Sequence, residues 1–202
     1  MAPLVVVIFG LMATGKTTLA RALGEALDLP VISSDVVRKT LAGLIPITPT
    51  PLKFGTGIYA EDFSQRTYAE VRRLASQHLD SGRGVILDAS FKRARERELI
   101  RQLAREHGAK IAFILCTCSL EVARGRLGIR AHDPKAISDG REELLTAQAQ
   151  DFDPVSAADR PLLKLETGRE WPVVLAELTN FVAPHVKEEG DRHTTRRSNR
   201  PH

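Results

Sequence analysis

Gly10-Leu11-Met12-Ala13-Thr14-Gly15-Lys16-Thr17 reads G-x-x-x-x-G-K-[ST] without a gap. It follows the apolar run Leu4-Val5-Val6-Val7-Ile8-Phe9 directly and precedes a stretch with Leu19, Leu23, Ala26 and Leu27 at helical spacing. Each fixed residue answers a physical need. The glycines let the backbone turn so that successive N–H groups face phosphate oxygens. The helix that follows adds its unpaired N–H groups and positive dipole end. Lys16 supplies a point charge for the β- and γ-phosphates, and the Thr17 hydroxyl is a ligand for Mg²⁺. A chance glycine-rich turn is the plainer explanation, but it does not require a strand before and a helix after. The context predicts nucleoside triphosphate binding, with contacts from Gly10, Leu11, Met12, Ala13, Thr14, Gly15, Lys16, Thr17 and Thr18.

Outward from this turn, short apolar runs alternate with amphipathic stretches, the pattern of a parallel sheet wrapped in helices. The runs are Val5 to Phe9, Val31-Ile32, Val85 to Leu87, Ile111 to Thr117 and Leu162 to Leu165. They are continuously apolar, as strands buried on both faces must be. Helical spacing appears at Val71, Leu74, Ala75 and His78, at Leu99, Ile100, Leu103 and Ala104, and at Val174, Leu178, Phe181 and Val182. Two segments break the rhythm: Gly43 to Gly57, with three prolines, and Gly128 to Ser138. Both are expected at the carboxyl end of the sheet, where open α/β folds bind ligands. The fold class is α/β with one domain over residues 1–185 and a disordered polar tail over residues 186–202.

The 202 residues are 43% apolar and 27% charged, a globular balance. The formal charge is +4, but the segment from Lys187 onward holds five basic and three acidic residues, so half of the excess resides there. The nearly neutral body and its few aromatics give little support to a nucleic-acid partner. No apolar run approaches the roughly 20 residues of a membrane span, and the opening lacks the features of a signal peptide. Cys116 and Cys118 cannot form a disulfide framework; with the absence of a leader they predict a cytoplasmic protein.

The class of nucleotide enzyme is narrowed by what accompanies the turn. No Asn-Lys-x-Asp run is present to read guanine. Gly84-Val85-Ile86-Leu87-Asp88 ends in a carboxylate suited to Mg²⁺, and Ala89-Ser90 follows in place of the water-activating Glu of a hydrolytic motor. Asp88 is otherwise a helix cap before Phe91-Lys92. Val31-Ile32-Ser33-Ser34-Asp35 puts a second carboxylate at a strand end, across the crevice from the phosphate turn. Asp35 there is either a base for an attacking hydroxyl or, with Ser34, a helix cap. Arg38, three residues on, shares its helical face.

Arg124, Arg126 and Arg130 cluster before the second irregular segment. Phosphoryl transfer spreads negative charge, and an arginine brought in by closure accelerates it strongly. Arg126 and Arg130 fit that task; the other reading is a solvated basic helix end. The charged stretch from Lys92 to Glu106 reads as a solvated helix face, and the cysteines as core packing.

The order of these features resembles the polynucleotide 5′-kinase and zeta-toxin group of P-loop kinases. It is similar above all to uncharacterised ATP-binding kinase-like domains, some fused to aminoglycoside-phosphotransferase-like modules. The likeness rests on Gly10 to Thr17, Ser34-Asp35-Val36-Val37-Arg38, Gly57-Ile58-Tyr59, Val85 to Ser90, Arg126 with Arg130, and Ser138-Asp139. It implies a P-loop NTPase fold with a five-stranded parallel sheet in the order 2-3-1-4-5 and a short helical lid. It implies Asp35 as general base, Arg38 as ligand of a substrate phosphate and Thr167 near the adenine. The expectation is transfer of the γ-phosphate of ATP, with Mg²⁺ on Thr17 and Asp88, to a hydroxyl of a small molecule or a nucleic-acid 5′-end. Lys16, Asp35, Arg126 and Arg130 are the expected catalytic set. The alternative is a nucleotide-binding regulatory module or slow ATPase without an acceptor.

Overall fold

The computed structural model describes residues 2–45, 57–130 and 142–186. The elements run β1 (Leu4–Phe9), α1 (Lys16–Leu27), β2 (Val31–Ser33), α2 (Ser34–Leu41), a 3₁₀ turn (Gly57–Tyr59), α3 (Glu61–Asp80) and β3 (Val85–Asp88). They continue α4 (Ala94–Glu106), β4 (Lys110–Thr117), α5 (Leu120–Arg130), α6 (Glu142–Gln150), β5 (Leu162–Glu166) and α7 (Trp171–Val186). All strand pairs are parallel and the order is β2-β3-β1-β4-β5. The expected fold class is therefore the observed one.

Why the strands are apolar without alternation is visible at β1, whose six residues are all buried. Successive side chains leave a strand on opposite faces. Val5, Val7 and Phe9 pack with Val71, Ala75, Ile100 and Ala104 of α3 and α4. Leu4, Val6 and Ile8 pack with Leu19, Leu23, Val174 and Leu178 of α1 and α7. Two helical layers thus cover both faces, and every parallel strand ends on the same edge.

The stretch from Lys92 to Glu106 departs from expectation. Arg97 is fully buried on α4, where the sequence reading has a solvated face. Its Nε donates to Asp159 Oδ1 at 3.1 Å, its Nη1 to the Phe91 carbonyl at 2.9 Å and its Nη2 to the Pro154 carbonyl at 2.8 Å. Arg101 Nη1 reaches the same Asp159 oxygen at 2.5 Å. Burial alone would raise the Asp159 carboxyl. The Ser156 N–H and the two guanidiniums outweigh that and hold it below the usual range. A counter-charge 62 positions away in sequence makes the burial tolerable, and charge patterning along one helix cannot reveal it.

The tail from residue 187, most of the proline-containing segment and the segment after Arg130 lie outside the described residues. Among the described residues no helix is long and apolar enough to cross a membrane.

Candidate active site

The turn between β1 and α1 is shaped by its neighbours. Gly10 has φ 137°, and a Cβ there would stand 2.4 Å from the Cys116 carbonyl oxygen of β4. Its N–H donates to the Ser90 carbonyl at 3.3 Å, fastening the turn to the segment after β3. Ala13 and Gly15 also have positive φ, 59° and 83°, which curls the backbone before α1 begins at Lys16. Burial pushes the Cys116 thiol up to about 12, so it stays protonated behind the turn. That agrees with a packing role.

Inside the curl, Thr14 Oγ1 and Lys16 Nζ donate to the Leu11 carbonyl at 2.7 and 2.6 Å. Thr17 Oγ1 donates to Asp88 Oδ2 at 2.8 Å. Thr18, at the next position of α1, is exposed. Asp88 is 3% exposed and ends β3, opposite Ser33 in the β2 register. Burial raises its pKa, countered by the Lys16 charge and by hydrogen bonds from Thr17 and Ser33. A buried carboxylate of that kind gains from a cation. The hard oxygen donors at Thr17 and Asp88 suit Mg²⁺, which takes one or two protein ligands and completes its shell with water and phosphate. Among the described residues no cluster of three or more His, Cys, Asp or Glu offers a self-sufficient metal cage. Helix α4 starts at Ala94, with Arg93 at its N-cap, so Asp88 is not the cap of that helix.

Asp35 lies in the first turn of α2, two residues after Ser33, and is half-buried. The N-cap of α2 is Ser33, and its side chain makes no capping hydrogen bond. Arg38 is 7% exposed on the same helix. Its Nη1 donates to the Ile58 carbonyl at 2.5 Å and to Ser64 Oγ at 3.2 Å, and its guanidinium lies 5.0 Å from the Tyr59 ring centre. The 3₁₀ turn and α3 thereby fix it. Tyr68 of α3 is buried beside them, accepting the Phe91 N–H at 3.1 Å and lying 3.0 Å from Ser90 Oγ. Burial raises its phenol, which stays neutral beside Ser90.

On the opposite side, Arg126 of α5 reaches the turn. Its Nη1 donates to the Ala13 carbonyl at 3.2 Å and to Thr167 Oγ1 at 3.0 Å, and its Nη2 to the Thr167 carbonyl at 2.6 Å. Thr167 Oγ1 in turn donates to the Thr14 carbonyl at 2.7 Å. Arg126 and Thr167 therefore brace the phosphate turn jointly. Arg124 is exposed, and the side chain of Arg130, the last residue of α5, lies outside the described set.

Sequence reading missed several members of this constellation. Ser33 stands opposite Asp88 in the β2–β3 register, which strand order alone does not fix. Gln148, whose Oε1 accepts the Met12 N–H at 2.6 Å, sits on α6, a helix for which no periodicity was read. Tyr68 carries no motif, and Ser90 enters only as the end of the Val85 to Ser90 stretch, with no role attached.

A parallel sheet in this order, with a phosphate nest on its carboxyl edge, is the P-loop NTPase fold in its kinase-like form. The chain belongs to the AAA domain family, whose model matches residues 5–155. Over 140 residues it is 32% identical to an uncharacterized protein of Mycobacterium tuberculosis and equally to one of Mycobacterium bovis. The match covers 69% of this chain and 28% of each relative, so the chain spans little more than a quarter of the curated relatives it matches. A gluconokinase from Sinorhizobium meliloti shares the fold at TM-score 0.63 and 18% identity, covering 91% of this chain and 92% of that one. A sugar kinase from Janibacter sp. superposes at 0.66 and 16% identity, covering 91% and 95%. Kti12 of Chaetomium thermophilum, solved with ADP-AlF3, superposes at 0.64 and 21% identity, covering 92% and 100%.

Proposed function

We propose that this chain transfers the γ-phosphate of ATP to a hydroxyl group in an Mg²⁺-dependent reaction. One observation supports the reading above others: Thr17 and Asp88 meet at 2.8 Å beside the nest, and Ala89-Ser90 directly follow Asp88 where a hydrolytic motor carries its water-activating Glu. A hydrolytic motor needs that base; a phosphotransferase takes its nucleophile from the acceptor.

The turn at 10–17 and the N-terminus of α1 bind the triphosphate, and Lys16 moves from the Leu11 carbonyl to the phosphate oxygens. When bound, Mg²⁺ neutralises β- and γ-phosphate charge and aligns the group for in-line displacement. Thr17 and Asp88 would hold it. Asp35, at the adjacent strand end, accepts the proton of the acceptor hydroxyl as its oxygen attacks phosphorus. Arg38 stands one helical turn further, where it orients an anionic part of the acceptor. Arg126, with Arg130 from the same helix, offsets charge on the moving group, and Thr167 lines the nucleotide end of the cleft. The nearly balanced body favours a small hydroxyl compound over a nucleic-acid 5′-end as acceptor.

Incubation with γ-labelled ATP, Mg²⁺ and a panel of sugars, nucleosides and oligonucleotide 5′-ends tests this reading. Label transferred to an acceptor supports it, and the labelled compound names the class. ATP bound without transfer to any acceptor would instead make the chain a nucleotide-responsive module.

A further inference from the structure

Gln148 is 8% exposed near the C-terminal end of α6. Its Oε1 accepts the Met12 N–H at 2.6 Å. The Leu11 carbonyl, the other half of the same peptide unit, accepts from Lys16 Nζ at 2.6 Å and Thr14 Oγ1 at 2.7 Å. The Leu11–Met12 peptide is thus gripped at both ends, and one grip belongs to the lysine that phosphate binding requires. A peptide N–H only donates, so the carboxamide of Gln148 must face the turn with its oxygen.

Helix α6 is itself held on two sides. Leu145, one turn before Gln148, is buried with Ala13, Ala123 and Leu127, and Leu11 and Met12 pack against that cluster. Asp151, immediately after the helix, pairs with Lys92 and Arg93 at 2.5 Å each, in the loop that follows β3. The helix therefore spans from the phosphate turn to the loop that follows Asp88.

We propose that Gln148 is a positioning residue for nucleotide binding, fixing the plane of the Leu11–Met12 peptide so that Lys16 can leave it for the phosphates without the turn rearranging. The inference rests on the reading of the turn as the triphosphate site. When Lys16 departs, the peptide keeps Thr14 on its oxygen and Gln148 on its nitrogen. Without Gln148 the N–H loses its partner, and a backbone already curled through positive φ at Ala13 is free to turn.

The test is titration of a fluorescent ATP analogue with Mg²⁺ against the wild type, Gln148→Leu and Gln148→Glu, with thermal melting as the check on folding. Gln148→Leu should bind about tenfold more weakly. Gln148→Glu should bind weakly at about pH 8, where its carboxylate opposes the phosphates, and recover toward wild type as the pH falls to about 4, below the ordinary Glu value, where the protonated carboxyl mimics the carboxamide. The wild type shows no such recovery, and loss of packing alone would not produce it. Gln148→Leu affinity within twofold of wild type, or a Gln148→Glu profile parallel to it, overturns the proposal. If Gln148→Leu does not fold, the Gln148→Glu profile decides. A wild type that binds no ATP would sink the nucleotide site itself, a result separable from failure of the Gln148 role.

Discussion

The Thr17 hydroxyl donates to Asp88 Oδ2 at 2.8 Å, across the seam between the first turn of α1 and the last residue of β3. Burial raises the Asp88 carboxyl, so its negative charge is a burden on the folded chain in the absence of a cation. Asp88→Asn removes the charge but keeps an acceptor for Thr17. The variant should melt at or above the wild-type temperature while losing about 100-fold of the Mg²⁺-dependent gain in ATP affinity. Paired melts and calorimetric titrations with and without Mg²⁺ check both halves.

Asp35→Asn separates binding from chemistry. The ATP dissociation constant should stay within about twofold of wild type, and the transfer rate should fall by about 10²–10⁴. Single-turnover transfer to an identified acceptor measures this. Unchanged turnover removes Asp35 from the mechanism.

Gly10→Ala should be far costlier than Gly43→Ala, although both glycines have positive φ. At Gly10 a methyl would meet the β4 backbone at 2.4 Å; at Gly43 nothing lies within 4 Å. The first should destabilise by about 3 kcal/mol and abolish ATP binding, the second by about 1 kcal/mol and leave it intact. Urea unfolding of both variants is the comparison.

Asp159→Asn leaves the fully buried Arg97 guanidinium without its counter-charge and should cost about 3–5 kcal/mol. Arg97→Met should cost less, because Asp159 keeps its pairing with Arg101 at 2.5 Å. The Asp159 carboxyl is depressed in the folded chain. Its contribution is therefore complete above the ordinary carboxylate pKa of about 4 and fades as pH falls through the lower folded value. Acid unfolding of Asp159→Asn should lose that component of the wild-type slope.

The parallel sheet was legible because continuous apolar runs and a strand-turn-helix motif are local signals. Gly10 to Thr17 announced itself for the same reason. The strand order was not local and followed only from the resemblance to the P-loop kinases. Asp35, Arg38, Asp88, Arg126 and Thr167 all fall along the carboxyl edge or against the turn, each at the end of a strand, just after one or on the helix that follows one. Gln148 and the Arg97–Asp159 pair escaped because their partners lie 136 and 62 residues away, and nothing in their own segments marks them. Long-range polar pairing is a property of the packed chain, not of any window of it.

The central place of β1 also governs how the chain is made. Leu4–Phe9 is synthesised well before its two sheet neighbours, β3 and β4, which begin only at Val85 and Lys110. During that interval an uncharged six-residue β-former has two open edges and no native strand to fill them. Non-local pairing is slow, and nascent chains in this state are natural clients for holding chaperones. Soluble yield should therefore follow translation speed and growth temperature more closely than it follows the melting point of the finished protein.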